Sequence, residues 1–170
     1  MGATQVTALP EEMFHGLYSL ERFFLRYNPR MTSLPSRIFQ GLPALYRIRI
    51  EGSLETLPEE VFQGLTNLKE LYLGHNRIAF LPESVFQGLP ALEFLDLQGN
   101  FLRELPDGVF QGLRKLEQLR LSDNRISSIS EFVFSAPGFP AETAYVYLHW
   151  NQLDLTTIRR LDDQLEYLWW

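Results

Sequence analysis

The 170-residue chain holds three histidines, no cysteine and a few adjacent carboxylate pairs, and these bound the chemistry it could do. Without a thiol there is neither a nucleophilic cysteine nor a thiolate metal ligand. No G-x-S-x-G elbow and no glycine-rich phosphate loop occurs. His75 and His149 leave strands that lie three coils apart in the reading below. At about 4.8 Å per strand that is roughly 14 Å, too far to share a metal ion. His15 replaces a glutamine on a different limb, and Glu59-Glu60 and Asp162-Asp163 sit on elements that solvent should reach. The inventory points away from catalysis, metals and cofactors. What it holds in quantity is arginine and aromatic side chains at two-residue spacing. They are Arg22, Phe24 and Arg26; Arg47 and Arg49; Glu70 and Tyr72; Phe94 and Asp96; Arg120; Tyr145 and Tyr147, with His149 and Trp150 just beyond. Residues two apart share one side of a strand. Aromatics and arginines standing in solvent are the types that anchor protein interfaces, although cross-strand aromatic neighbours can also simply stabilise a sheet.

The elements that position these residues repeat. LPESVFQGLPALEFLDLQGNFLRE, from Leu81, follows LPEEVFQGLTNLKELYLGHNRIAF from Leu57 and precedes LPDGVFQGLRKLEQLRLSDNRISS from Leu105, so the period is 24 residues. A fixed period of this size marks a solenoid, whose units cannot bury their apolar faces alone. Within one unit Leu95 and Leu97 point inward from a short strand while Phe94 and Asp96 point out. Strands one period apart run the same way and pair in parallel. Asn100 closes the strand, and its amide can both donate to and accept from the peptides of a turning backbone. Its recurrence at Asn76, Asn124 and Asn151 predicts a buried ladder. On the return limb Pro82 cannot donate to a sheet and Gly88 permits a left-handed turn, so an irregular or 3-10-like path is expected. Phe86 recurs as Phe14, Phe39, Phe62, Phe110 and Phe134, a column that reads as an internal stacked spine.

These motifs, LxxLxLxxNxL with LPxxxFxGL in five or six copies from about Val6 to Leu153, resemble the leucine-rich repeat family in its 24-residue class of receptor and proteoglycan repeats. The resemblance implies an α/β leucine-rich repeat fold. That is a right-handed solenoid with a curved parallel sheet on the concave side and an irregular convex side, binding partners mostly through the sheet. The strand positions between the leucines are then the partner-binding residues, the fourteen given above. The expected organisation is one domain over 1–170: an incomplete first repeat at 1–8, repeats over 9–153, and a capping helix over 154–170. In that last segment Ile158, Leu161, Leu165 and Leu168 share a helical face, Asp154 or Thr156 could cap the start, and Arg159 and Arg160 oppose the helix dipole. Two irregularities offset one another: the repeat from Leu9 has an extra residue near Pro29, and that from Leu34 lacks one near Gly52. SAPGFPAE, Ser135 to Glu142, reads as a loop inserted in the return limb, either tolerated or a contact loop.

A net charge of −6 with interspersed signs argues against nucleic acid as a partner, and no apolar run is long enough to span a membrane. The expected partner is a protein or peptide on the concave face of a monomer. Two other readings stand beside this one: a structural or engineered scaffold with no dedicated ligand, and the recognition part of a larger receptor or effector. MGATQV lacks a secretion segment, and there are neither cysteine caps nor Asn-x-Ser/Thr sequons. Those absences favour a bacterial, cytosolic or engineered origin, or a fragment lacking its caps, whereas the resemblance favours secretion.

Overall fold

A computed structural model describes residues 6–170; the expected incomplete repeat at 1–8 lies mostly outside them. Seven strands form one sheet in sequence order: β1 (Arg22–Asn28), β2 (Arg47–Gly52), β3 (Glu70–Tyr72), β4 (Phe94–Asp96), β5 (Gln118–Arg120), β6 (Tyr145–Tyr147) and β7 (Tyr167–Trp169). Every neighbouring pair is parallel. Strands this short cannot stand alone, and each depends on the coil below it and the coil above. One helix, α1 (Leu155–Gln164), lies between β6 and β7. The chain is a leucine-rich-repeat right-handed solenoid.

The leucines behave as their spacing requires. Leu71, Leu73, Leu95, Leu97, Leu119 and Leu121 are all fully buried. Behind them Phe39, Phe62, Phe86 and Phe110 have no exposed surface, and their near-parallel rings are spaced 6.1–6.3 Å apart, continued by Phe134 at 6.1 Å. Phe14 extends the stack at 6.4 Å but is only half-buried. The limb carrying these rings is built of successive turns. In one coil Val85 N–H donates to Pro82 O and Gln87 N–H to Ser84 O, while Gly88 takes φ +79°.

The asparagine ladder is present and runs further than its expected members. Asn100 Nδ2 donates to Leu73 O and Leu97 O at 3.0 Å, and its Oδ1 accepts from Ile78 N–H at 3.0 Å. Asn76, Asn124 and Asn151 repeat the pattern one coil away each time. Asn28 starts it by accepting from Val6 N–H. The shortage near Gly52 appears as a β1–β2 register shift, from Leu25 beside Ile50 to Asn28 beside Gly52.

Two expectations change. The helix expected over 154–170 stops at Gln164, and the chain then returns as β7, with Leu168 beside Val146. Asp154 is the cap, accepting from Thr157 N–H at 2.7 Å, which holds its carboxyl below the ordinary value. Arg159 and Arg160 lie in the second helical turn, and Arg160 donates to Ile129 O of the coil before. The Ser135–Glu142 segment is more than an excursion. Phe139 folds inward to 5.2 Å from Phe134 and 6.1 Å from Phe110, so the segment packs a ring against the side of the last two members of the spine.

Candidate functional site

The outward side of the sheet carries two columns set by strand register. One reads Arg22, Arg47, Glu70, Phe94, Gln118, Tyr145, Tyr167; the other reads Phe24, Arg49, Tyr72, Asp96, Arg120, Tyr147, Trp169. Register thus brings together eleven of the fourteen residues assigned from spacing, sets Gln118 among them and adds Tyr167 and Trp169 from β7. The signal for those two was legible: LEYLWW at 165–170 aligns with LEFLDL at 92–97.

Toward the N-terminal end the arginines are engaged within the sheet. Arg47 donates to Glu70 at 2.5 Å, and Tyr72 O–H donates to the other oxygen of Glu70 at 2.7 Å. Burial works to raise the Glu70 carboxyl, but these bonds outweigh it and leave it below its ordinary value. The Tyr72 phenol is raised, by burial first and then by its bond to Glu70. Arg49 pairs with Glu51, which Arg26 also approaches at 3.6 Å. Arg22 has no ion pair among the described residues.

Toward the C-terminal end rings and guanidinium groups stack. Arg49 lies over Tyr72 at 5.3 Å, Tyr72 meets Phe94 at 4.8 Å, and Arg120 stands over both Phe94 at 5.0 Å and Tyr147 at 5.9 Å. Trp169 stacks on Tyr147 at 6.2 Å and Tyr167 packs on Tyr145 at 4.7 Å. Asp96 lies mid-sheet, half-buried, accepting from Gln98 N–H at 3.0 Å. Burial pushes its carboxyl up, against that bond and the pull of Arg120. A side chain at Gly74 would come within 3.1 Å of the Asp96 carboxylate, so that glycine leaves room for it.

At the strand exits a third column precedes each ladder asparagine. Tyr27, His75, Asp123 and Trp150 all have φ between +55° and +60°, and Gly99 takes the same turn. For residues other than glycine this conformation costs about 1–3 kcal/mol each. Tyr27 is 87% exposed and Trp150 73%, so little burial offsets that cost. His149 sits one residue earlier, its Nδ1 at 3.0 Å from Ser122 Oγ and its ring edge-on to Trp150. Spacing alone could not show this backbone state, because only Gly99 hints at it.

None of these groups forms a metal-ligating cluster among the described residues, and no described helix is long and apolar enough to cross a membrane. A cleft of about 580 Å³ lies on the convex limb between Glu11, His15 and Arg37, away from both columns.

Comparison with known proteins agrees with this architecture. The leucine rich repeat family model matches residues 2–54, 51–102 and 96–138. No curated protein sequence matches. Among solved structures, a chain of the glycosylated Toll–Spatzle complex of Drosophila superposes with a TM-score of 0.84 at 29% identity, over 96% of this chain and 22% of that one. A chain of the TLR13–ssRNA13 complex gives 0.78 at 29% identity, over 88% and 21%. The leucine-rich repeat domain of APL1B gives 0.75 at 20% identity, over 91% and 42%, a likeness of fold alone. The chain therefore spans about a fifth of the two more similar structures. Its period, its asparagine ladder and a family match over most of its length lead to one conclusion: the chain belongs to the leucine-rich repeat family.

Proposed function

We propose that the chain is a non-catalytic binding module that grips a protein or peptide on its concave sheet. The observation that carries this reading is the unbroken run of stacked groups from Arg49 through Tyr72, Phe94, Arg120 and Tyr147 to Trp169. Stacking holds these side chains in place before any partner arrives, which lowers the ordering cost of association. The structural neighbours support binding in general: one comes from a complex with a protein, Spatzle, and one from a complex with an RNA. Protein is favoured here over a polyanion because the net charge is −6 and Arg26, Arg47 and Arg49 already face Glu51 and Glu70. That same closed pairing favours a purely structural role for the Arg47–Glu70–Tyr72 group, so the ring-rich half from Phe94 to Trp169 is the stronger part of the site.

Affinity capture tests the reading with the intact chain, an Arg49→Ala/Tyr72→Ala double variant, a Tyr147→Ala/Trp169→Ala double variant and a convex-limb variant, Phe132→Ser. A protein retained by the intact chain and by Phe132→Ser but lost from the Tyr147/Trp169 variant supports it. A partner held equally by both concave variants overturns it.

A further inference from the structure

In the middle of the concave face two opposite charges stand side by side without meeting. Asp96 on β4 and Arg120 on β5 are register partners in one outward column. Neighbouring strands lie about 4.8 Å apart, close enough for such a pair to close. No ion pair joins them. Each is held by something else. Asp96 Oδ1 accepts from Gln98 N–H at 3.0 Å, and the Arg120 guanidinium lies over Phe94 at 5.0 Å and Tyr147 at 5.9 Å. Among the described residues Asp96 Oδ2 therefore accepts no hydrogen bond, and the Arg120 side chain donates none. Neither is sealed off. The buried side-chain atoms without a partner are Arg47 Nε, Arg160 Nε and Gln164 Oε1, so the free oxygen of Asp96 and the N–H edge of Arg120 can be reached from outside.

Arg120 by itself would take a carboxylate as readily as a carbonyl. Asp96 decides between them. The titratable side chains that bear on Asp96 are Arg120, His75 and Arg49, and Arg49 is already bonded to Glu51. One unspent positive donor and one unspent negative acceptor remain next to each other. An anion set on Arg120 is repelled by Asp96, and a cation set on Asp96 is repelled by Arg120. A neutral group that both accepts and donates satisfies the two at once, as the carboxamide of a glutamine or asparagine side chain does. The surroundings also favour a side chain. Tyr72 is the register partner of Asp96 on one strand and Phe94 precedes it by two residues on its own, and both are longer than the carboxylate between them. A main chain laid across those rings reaches Asp96 only through a side chain. Gln98 and Gln118, the chain's own carboxamides beside the pair, bond to neither member with their side chains. We infer that Asp96 and Arg120 together form a subsite that reads a glutamine or asparagine side chain of an extended protein segment. It rests on the concave-sheet reading and gives that surface a sequence preference.

The test uses acetyl-Leu-Ser-Gln-Ser-Leu-amide, whose glutamine and leucine side chains share one side when extended. Three analogues carry glutamate, lysine or methionine in place of the glutamine. Binding to the intact chain at neutral pH is followed by chemical shifts of backbone amides and of arginine Nε–H groups. The glutamine peptide should move the Arg120 Nε–H and the Asp96 amide, and should bind at least about tenfold more tightly than each analogue. Asp96→Asn should make the glutamate analogue the preferred one, and Arg120→Gln the lysine analogue. A reversal of preference cannot come from partial unfolding, so it reads the subsite whatever the urea midpoints of the variants. The inference is overturned by equal binding of the four peptides, by shifts that bypass Arg120, by a preference that neither variant moves, or by no shift at millimolar peptide. In each of those cases a partner captured by the intact chain and lost from the Tyr147→Ala/Trp169→Ala variant would still support the concave-sheet reading.

Discussion

Replacing Asn100 by alanine tests the device that holds the coils in register, and its cost can be worked from the bonds around it. Beside a long contact to Gln98 O at 3.5 Å, the amide makes three close ones, accepting from Ile78 N–H and donating to Leu73 O and Leu97 O. The three groups do not suffer equally. Leu73 O also accepts from Asn76 Nδ2 at 2.9 Å, and Leu97 O from Asn124 Nδ2 at 3.0 Å, so each carbonyl keeps one partner. Ile78 N–H alone is stranded, buried with no other acceptor. An orphaned donor costs about 1–3 kcal/mol, and each of the two lost carbonyl bonds about 0.5–1 kcal/mol. Asn100→Ala should therefore destabilise by about 2–5 kcal/mol. Gln98→Ala, two residues away on the half-buried rim, should stay within about 0.5 kcal/mol. Asn100→Asp keeps the acceptor but turns a second oxygen on the two carbonyls; it should be worse than alanine at neutral pH and recover partly in acid, where the carboxyl can donate. Urea unfolding followed by circular dichroism measures all three, and a reduced slope would show the solenoid unfolding in two parts. Equal midpoint shifts for Asn100→Ala and Gln98→Ala at unchanged slope would refute the ladder's energetic role.

Phe139→Ala should cost about 3–5 kcal/mol despite its place in a Pro/Gly-rich segment, and a urea midpoint within error of wild type would show that its packing beside the spine is idle. Asp96→Asn should stabilise at neutral pH, because burial raises the folded carboxyl above its unfolded value and so makes its ionisation unfavourable to folding. The wild type should then gain on the variant as pH falls through the raised folded value, with the gap levelling below about 3.9; a gap that widens in acid contradicts this. Trp150→Gly relieves a positive φ and loses only an exposed edge-on contact with His149, so thermal unfolding should show a gain of up to about 1 kcal/mol, and a loss larger than that refutes the strain argument.

Much of the fold was legible because the interior repeats. The leucine spacing, the phenylalanine column, the four ladder asparagines and the offset repeat lengths each follow from one period, and each has a counterpart in the coordinates. What the period could not supply came from contacts between coils. Leu161, Leu165 and Leu168 suit a helical face, yet the LxxL spacing of Leu165 and Leu168 is also that of a strand such as Leu92–Leu95. Pairing along β6 decides between them, since Val146 and Tyr147 gain ladder partners only if the segment extends. Phe139 was hidden by its turn-forming neighbours, although a large apolar residue among them was itself a sign of burial. The outward residues were placed on the correct columns by the two-residue alternation. Their engagement was not legible, because whether an arginine meets a carboxylate or a ring depends on side-chain reach across neighbouring strands.

That last difference bears on how the concave face would work. Four arginines near β1 and β2 suggest, by composition, a patch waiting for a partner's carboxylates. In the folded chain Arg47 and Arg49 are already bonded to Glu70 and Glu51, so a partner would have to break or share those pairs, and exposed or half-exposed pairs are worth little to rearrange but also offer little in return. Arg120 is placed differently. Its guanidinium is held by the faces of Phe94 and Tyr147, with no carboxylate within ion-pair distance among the described residues. Stacking positions the guanidinium through its flat face and leaves its N–H edge able to donate, a combination that lysine cannot reproduce. A partner carboxylate or carbonyl would thus gain most at Arg120, where rings on both sides exclude water and the donor is already oriented. Arg22, exposed at the first strand and without an ion pair among the described residues, would contribute through long-range attraction that salt screens. The chemistry of the face is therefore set by which outward neighbours each arginine meets, while the buried ladder and spine fix only how far apart they stand.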